Sequence, residues 1–292
     1  KIGDKGINRH IHMKVDISKS NEINQAIKTI DPDLIFHLAA ESHVDRSIKN
    51  PYHFINSNIV GTFRLLESTL MHWEKLPNLR KNRFKLIHIS TDEVFGSLSG
   101  NAKFNERTSY QPRSPYSASK ASSDHLAKAW YFTYGLPVIV TNCSNNYGPW
   151  QYPEKLIPVI IKKALKEENI PLYGDGSNIR DWIYVEDHIA AILKILEKGN
   201  VGESYCIGGN CEYTNIELTN FICNIIDKRL SKPFLHKSLI QYVEDRLGHD
   251  KRYAIDNTKI KTELGWEPNT SFEIGLEKTV DWFLNNLNWL NQ

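Results

Sequence analysis

Four apolar runs, "DLIFHLAA" (33 to 40), "FKLIHIS" (84 to 90), "LPVIVTNCS" (136 to 144) and "ESYCIGG" (203 to 209), recur along this chain with helix-length segments between them. They are apolar on both faces rather than alternating, as strands buried on both sides must be. Strands that alternate with helices build a parallel sheet with helices packed on each face. The segment "NPYHFINSNIVGTFRLLESTLMHW" begins a helix with Pro51 in its first turn and spaces Phe54, Ile55, Ile59, Phe63, Leu66 and Leu70 as a helix does. A second helix is predicted from about Tyr116 to Tyr134, stopped by Gly135 and Pro137. The fold class is therefore α/β, a doubly wound, Rossmann-like parallel sheet.

From about Asn145 the texture changes to short elements rich in Pro, Gly and Asn, "NNYGPWQYPEKLIP" and then "IPLYGDGSNIRDW". These read as a smaller α+β cap, with helical stretches at roughly 214 to 230 and 271 to 286. The chain is expected to return to the sheet around 183 to 209. The two domains then interleave, 1–144 and 181–210 forming the sheet domain and 145–180 and 211–292 the cap.

Composition places few demands beyond this. With 292 residues, 40% hydrophobic and 24% charged, the chain suits one large domain or two closely packed ones. A formal charge of +2 gives no reason to expect a nucleic acid or an anionic membrane as partner, and the basic run "RKNRFK" at 80 to 85 reads as a solvated loop. Cys143, Cys206, Cys211 and Cys223 lack the paired short spacings of a zinc site or redox motif, so no metal is expected and the thiols suit a reducing compartment. No apolar stretch approaches the ~20 residues of a membrane helix. The expected location is the cytoplasm.

"YSASK" puts Tyr116 and Lys120 four residues apart, on one face of a helix. A lysine ammonium at that distance favours the phenolate and would bring Tyr116 toward use as a base. The spacing alone is weak, because such pairs arise by chance on exposed helices. The second apolar run, however, ends in Thr91, Asp92 and Glu93, and the first ends in "AAESHVD". In a parallel doubly wound sheet all carboxyl ends of strands open onto one crevice. Either the acids are solvated because the strand has simply ended, or they face one pocket with Tyr116. Consecutive strand residues face opposite sides, so the second reading requires the strand to stop at about Ser90.

At these residues the sequence resembles the extended short-chain dehydrogenase/reductases, and within them the dTDP-glucose 4,6-dehydratases. The resemblance runs through "HLAAESHVDRSI", "STDEVFG", "SPYSASKA", "NNYGPWQYPEKLIP", "YGDGSNIRDWIYVEDH", "GHDKRYAID" and "LGWEP". It implies a lyase that uses tightly bound NAD+, converting dTDP-glucose to dTDP-4-keto-6-deoxyglucose. Tyr116, tuned by Lys120, would take the C4 hydroxyl proton as hydride leaves C4, Glu93 the C5 proton, and Asp92 would protonate the departing C6 hydroxyl. Thr91 would hold the oxygen at C4. That division needs one carboxyl ionised and its neighbour protonated, which two close acids favour.

The resemblance also implies binding residues. For the cofactor, Asp16 and Ile17 match an adenine-edge pair, Leu38, Ala39, Ala40, Glu41 and Ser42 a segment beside the dinucleotide, and Ser57, Tyr116, Lys120 and Asn146 complete the set. For the nucleotide sugar the matching positions are Ser42, Thr91, Asn145, Lys155, Leu156, Pro171, Leu172, Tyr173, Arg180 and Asn215. To these are added Asp245, Arg246, Leu247, Gly248 and His249, with Arg180 and Arg246 as diphosphate ligands. Leu247 stands where the family pattern has proline. A homodimer through the helices at about 51 to 73 and 116 to 134 is implied as well, although their apolar faces are equally compatible with covering the sheet.

No glycine-rich loop follows a strand in this chain, and "GDKG" at 3 to 6 reads as a turn. The family's first strand and pyrophosphate loop are therefore expected to be missing from these 292 residues, which by themselves should bind NAD+ poorly and be inactive. Open alternatives are a dehydratase or decarboxylase for another nucleotide sugar, and a non-catalytic sugar-nucleotide-binding homologue.

Overall fold

The computed structural model describes residues 10–291; the "GDKG" segment lies outside them. The chain begins α1 (Ser20–Ile30), β1 (Leu34–His37), α2 (Val44–Lys49), α3 (Pro51–Phe54), a π-helical stretch Ile55–Gly61, α4 (Thr62–Lys75), α5 (Asn78–Lys81) and β2 (Lys85–Thr91). It continues through α6 (Pro115–Tyr134), β3 (Val138–Cys143), β4 (Asn145–Tyr147), α7 (Leu156–Leu165), β5 (Ile170–Tyr173), β6 (Ile179–Tyr184), α8 (Val185–Lys198) and β7 (Ser204–Ile207). It ends with β8 (Glu212–Thr214), α9 (Asn215–Leu230), β9 (Ile240–Val243), α10 (Thr258–Leu264), α11 (Phe272–Asn285) and α12 (Leu287–Leu290).

The four apolar runs are the four strands of one parallel sheet, in the order β1-β2-β3-β7. Leu86 pairs with Val138 and Val140 with Ser204, so the carboxyl ends of all four strands open on the same edge. Both faces are covered, as continuous apolar strands require. Leu86, Val138 and Val140 pack with Leu66 of α4 and Ala127 of α6. Ile87, Ile139 and Ile207 face the other way, onto Ala191 and Ile195 of α8 and Ile260 of α10. Edge strand β1 leaves Phe36 and Leu38 exposed, and among the described residues no strand precedes it.

The helix punctuation follows the sequence. Ser114 caps α6 in a reciprocal capping box with Ser117, Pro115 occupies the first turn, and Gly135 closes the helix at φ 73°. Pro51 starts α3, as expected, but the rod it begins widens into π-helix before α4.

The second region has its own core, built from Tyr147, Trp182, Ile157, Ile161, Leu218, Ile222, Leu276 and Phe283. Here the structure departs from the expected path. The chain was expected to re-enter the main sheet from about 183, but β6 pairs with β4 and β8 in a separate three-stranded sheet. The side chains of Trp182 and Tyr184 join the second core, and β7 makes the return. The turn after β7 passes close to β6, so a Cβ on Gly209 would lie 1.8 Å from the Trp182 carbonyl oxygen.

Backbone cannot yield as a side chain can. Gly209→Ala is therefore expected to destabilise the protein by about 2–4 kcal/mol, an effect read from denaturant midpoints, whereas Gly265→Ala, which meets no atom within 4 Å, should show only the smaller cost of its φ of 67°.

Candidate active site

β2 runs one residue further than expected, to Thr91, and then the chain leaves the strand geometry altogether. Residues Asp92–Phe95 form a 3₁₀ turn capped by Thr91, whose Oγ1 accepts a hydrogen bond from the Glu93 amide at 3.2 Å. Because the two acids sit in a turn, strand alternation no longer separates them. The turn is anchored by buried Val94 and Phe95, with Phe95 stacked on Phe104 at 5.1 Å. Gly96 ends it at φ 86°, where a Cβ would meet the Gln111 carbonyl oxygen at 2.5 Å.

Asp92 is 2% exposed, and its Oδ2 has no hydrogen-bond partner. Burial pushes its carboxyl well above the ordinary value, and the charges of Glu93 and Asp181 push it further. Glu93 is also raised by burial, but the charges of Arg180, Lys155 and Arg246 oppose that rise. The pair is therefore electrostatically unequal. Asp92 keeps its proton more strongly, whereas the cations on the basic side of the cleft favour the carboxylate form of Glu93.

Tyr116 and Lys120 lie on the buried face of α6, with the Tyr116 ring edge-on to Phe54 at 6.3 Å. The expected lowering of the phenol is not what the surroundings produce. Burial raises Tyr116 well above its ordinary value, with the charge of Glu93 adding to it, while a hydrogen bond with Thr91 works in the opposite direction. Lys120 Nζ is engaged elsewhere, donating to the Ile89 carbonyl at 2.9 Å.

Glu93 opens into a cleft of about 370 Å³ between the carboxyl edge of the sheet and the second region. Of the sequence-matched substrate positions, Ser42, Asn145, Lys155, Leu156, Pro171, Tyr173, Arg180, Asn215, Arg246, Gly248 and His249 line this cleft. Leu172 is buried on the opposite side of β5, Leu247 is exposed away from the cleft, and Asp245 stands behind His249 as the acceptor of its Nδ1 at 2.6 Å. Thr91, Asp92 and Tyr116 sit beneath Glu93 rather than in the cleft wall. Lys155 Nζ donates to the Ser42 carbonyl at 2.6 Å and ties the two walls together. Arg246 forms an ion pair with Asp45 and lies over the Tyr173 ring at 5.2 Å. The guanidinium of Arg180 lies over Tyr253 at 4.2 Å and donates to the Asp250 carbonyl at 2.9 Å.

On the other side of the sheet edge, Leu38, Ala39, Ala40 and Ser42 form an exposed strip. Asn58, from the π-helical stretch, fixes it by accepting from the Glu41 amide at 2.8 Å and donating to the Glu41 carbonyl at 2.9 Å. Ser57 is its neighbour in that stretch. Ile17 packs over Gly61, and Asp16 caps the turn into α1 through Ser18 and Glu22. Asn146 is oriented by neutral His188, whose Nδ1 lies 2.8 Å from its Oδ1 and whose pKa burial lowers to about 4.

Asn58, Asp124, Asp250 and Tyr253 were not singled out from the sequence. Asp124 could have been, since it continues the four-residue spacing of Tyr116 and Lys120 along α6. Asp250 and Tyr253 lie inside "GHDKRYAID", but nothing local marks them as neighbours of Arg180. Among the described residues, no group of three or more His, Cys, Asp or Glu side chains could hold a metal ion, and no helix is long and apolar enough to cross a membrane.

The family model described as GDP-mannose 4,6 dehydratase matches residues 3–279. The chain belongs to this sugar-nucleotide dehydratase family. It is 52% identical over 285 residues to the dTDP-glucose 4,6-dehydratase of Xanthomonas campestris pv. campestris, covering 96% of this chain and 81% of that one. It is 50% identical over 292 residues to dTDP-glucose 4,6-dehydratase 1 of Escherichia coli K12, covering 97% and 81%. The crystal structure of DesIV, a dTDP-glucose 4,6-dehydratase from Streptomyces venezuelae with NAD and TYD bound, superposes with a TM-score of 0.83 at 42% identity, over 94% of this chain and 79% of that one.

The unequal acids carry a thermodynamic signature. A carboxyl whose folded pKa lies above its ordinary 3.8 stabilises the fold below 3.8, and that stability is lost as pH rises toward the folded value. Asp92→Asn removes the loss. At pH 7 the variant should be more stable than the parent, and the gap should close as pH falls toward about 4 in denaturant titrations. A gap independent of pH would show that Asp92 is not a buried acid.

Proposed function

We propose that this chain performs the chemistry of a dTDP-glucose 4,6-dehydratase, releasing dTDP-4-keto-6-deoxyglucose by oxidation at C4, loss of water across C5 and C6, and return of hydride to C6. The observation that carries the reading is the unequal pair, Asp92 buried without a partner for Oδ2 and Glu93 opposed by Arg180 and Lys155, beside Tyr116.

In this reading Tyr116 accepts the proton of the C4 hydroxyl as the phenolate, reached once the buried phenol has released its own proton to solvent, and the resulting ketone acidifies the hydrogen at C5. Glu93 takes that hydrogen as a proton. Asp92, holding its proton, delivers it to the C6 oxygen as water departs. Thr91 Oγ1 supports the oxygen at C4. Arg180 and Arg246 meet the diphosphate with guanidinium forks, and Asn145, Lys155, Tyr173 and Asn215 frame the rest of the nucleotide sugar.

The residues present fit NAD along two of its edges. The exposed strip from Leu38 to Ser42, held open by Asn58, with Ser57, Tyr116, Lys120 and oriented Asn146, would hold its reactive end, and Asp16 and Ile17 its adenine. Bound there, the cofactor supplies reversible uptake of the hydride from C4. Among the described residues there is no glycine-rich strand-to-helix loop to supply amides for its pyrophosphate.

The strip-bearing parallel sheet and the second region with its own core divide these tasks between cofactor and sugar nucleotide. Free cysteines, three of them buried, suit a reducing compartment, and we place the protein in the cytoplasm. Exposed Tyr52, Ile55 and Met71 on the first helical rod and Phe132 and Tyr134 on α6 support a homodimer through these helices. Sedimentation equilibrium should return a dimer for the parent and a monomer for Phe132→Glu; a dimer for both would place the interface elsewhere.

Base catalysis at C5 can be tested without any hydride transfer. In D2O the protein should exchange deuterium into C5 of dTDP-4-keto-6-deoxyglucose, followed by NMR, and Glu93→Gln should slow the exchange by about 10²–10⁴-fold. Exchange no faster than in buffer, with the sugar nucleotide bound, would overturn the role of Glu93.

A further inference from the structure

Lys120 is 5% exposed, and its Nζ hydrogen bond goes to a neutral carbonyl. A buried ammonium needs an anion nearby, or it sheds its proton. The titratable groups around it leave few candidates. His37 from β1 and His88 from β2 are both pushed down by burial and are neutral. Cys143 from β3 is pushed up to about 12 and is a neutral thiol. Tyr116 is a neutral phenol, Asp92 retains its proton, and the charge of Glu93 is balanced by Arg180 and Lys155.

Asp124 remains. It is fully buried, one turn after Lys120 on the same face of α6, and side chains on a helix lean toward its N-terminus, here toward Lys120. Its carboxylate is the acceptor at the centre of a closed cluster. His88 Nε2 lies 3.0 Å from Oδ1, and the Tyr110 hydroxyl and Asn142 Nδ2 donate to Oδ2 at 2.9 and 3.0 Å. Burial raises its carboxyl, but the hydrogen bond with His88, joined by the charge of Lys120, outweighs the rise and brings it below its ordinary value. Asn142 Nδ2 also reaches the Thr91 carbonyl at 3.2 Å, so the same cluster braces the strand end that carries the acids.

We propose that Asp124 is a positioning residue whose buried negative charge keeps Lys120 an ammonium ion and, through Lys120, sets the proton affinity of Tyr116. The inference rests on the function proposed above for Tyr116. Asp124 makes no contact with the reacting sugar and no direct hydrogen bond to Lys120. It acts as a fixed charge one helical turn away, in an interior too dry to screen it. The surrounding donors fill its lone pairs, so it cannot swing away.

The test reads protons rather than turnover, which separates it from the fate of the proposed activity. Lys120 and Tyr116 are titrated by NMR with ¹³C-labelled lysine and tyrosine, assigned with Lys120→Met and Tyr116→Phe. In Asp124→Asn, Lys120 should lose its proton about one unit or more lower than in the parent, and Tyr116 should titrate higher. Tyr110→Phe removes one hydrogen bond from the cluster but keeps the charge, and should leave Lys120 within a few tenths of a unit of the parent.

An unmoved Lys120 in Asp124→Asn, or an equal shift in Tyr110→Phe, would reduce Asp124 to a packing role. Should Asp124→Asn fail to fold, the parent still decides the matter. Its ¹³Cγ-labelled Asp124 must read as a carboxylate from about pH 5 to 9, and a protonated signal there would overturn the proposal.

Discussion

Removing ionisable groups from water governs this site. Asp92, Asp124, Tyr116 and Lys120 all lie buried at the carboxyl edge of one sheet, where each charge costs several kcal/mol unless a partner offsets it. The arrangement distributes the problem. Basic groups line the cleft side and oppose the upward push of burial on the acid nearest to it, Glu93, while the acid behind it is pushed well above its ordinary value. Two chemically similar side chains, adjacent in sequence, thereby acquire unequal proton affinities. Proton donor and acceptor follow from depth, not from residue type.

The scaffold makes such depth possible. Parallel pairing aligns four strand ends, and helices on both faces exclude water from most of β2, β3 and β7. The second region then roofs the edge, with Lys155 and Arg246 reaching back to Ser42 and Asp45.

The strands were legible because each is a continuous apolar run, and α6 because Ser114, Pro115 and Gly135 punctuate it. Thr91, Asp92, Glu93, Tyr116 and Lys120 stood out as polar groups where apolar runs end or on a helical period. The partner of β6 was not legible. Its sequence "IRDWIY" reads equally well as a strand of either sheet, and the choice falls to Trp182 and Tyr184, which pack with Tyr147 far from them in sequence. Nor was the rise of the Tyr116 phenol legible. A four-residue spacing reports the distance to Lys120 but not the hydration that decides which protonation state wins.

The ion pair between Arg246 and Asp45 changes how an anion enters the cleft. Arg246 already has a negative partner, and the Tyr173 hydroxyl also lies within 3.5 Å of the same carboxylate. In the reading proposed above, an arriving diphosphate would exchange with Asp45 rather than fill an empty cationic socket, and the liberated carboxylate would repel it unless α2 shifted or rehydrated. Two phosphates compete well in such an exchange, whereas a ligand bearing a single charge only matches the resident. Under that proposal, selection for the pyrophosphate linkage is a displacement reaction, written into a contact that, on its face, merely closes the cleft.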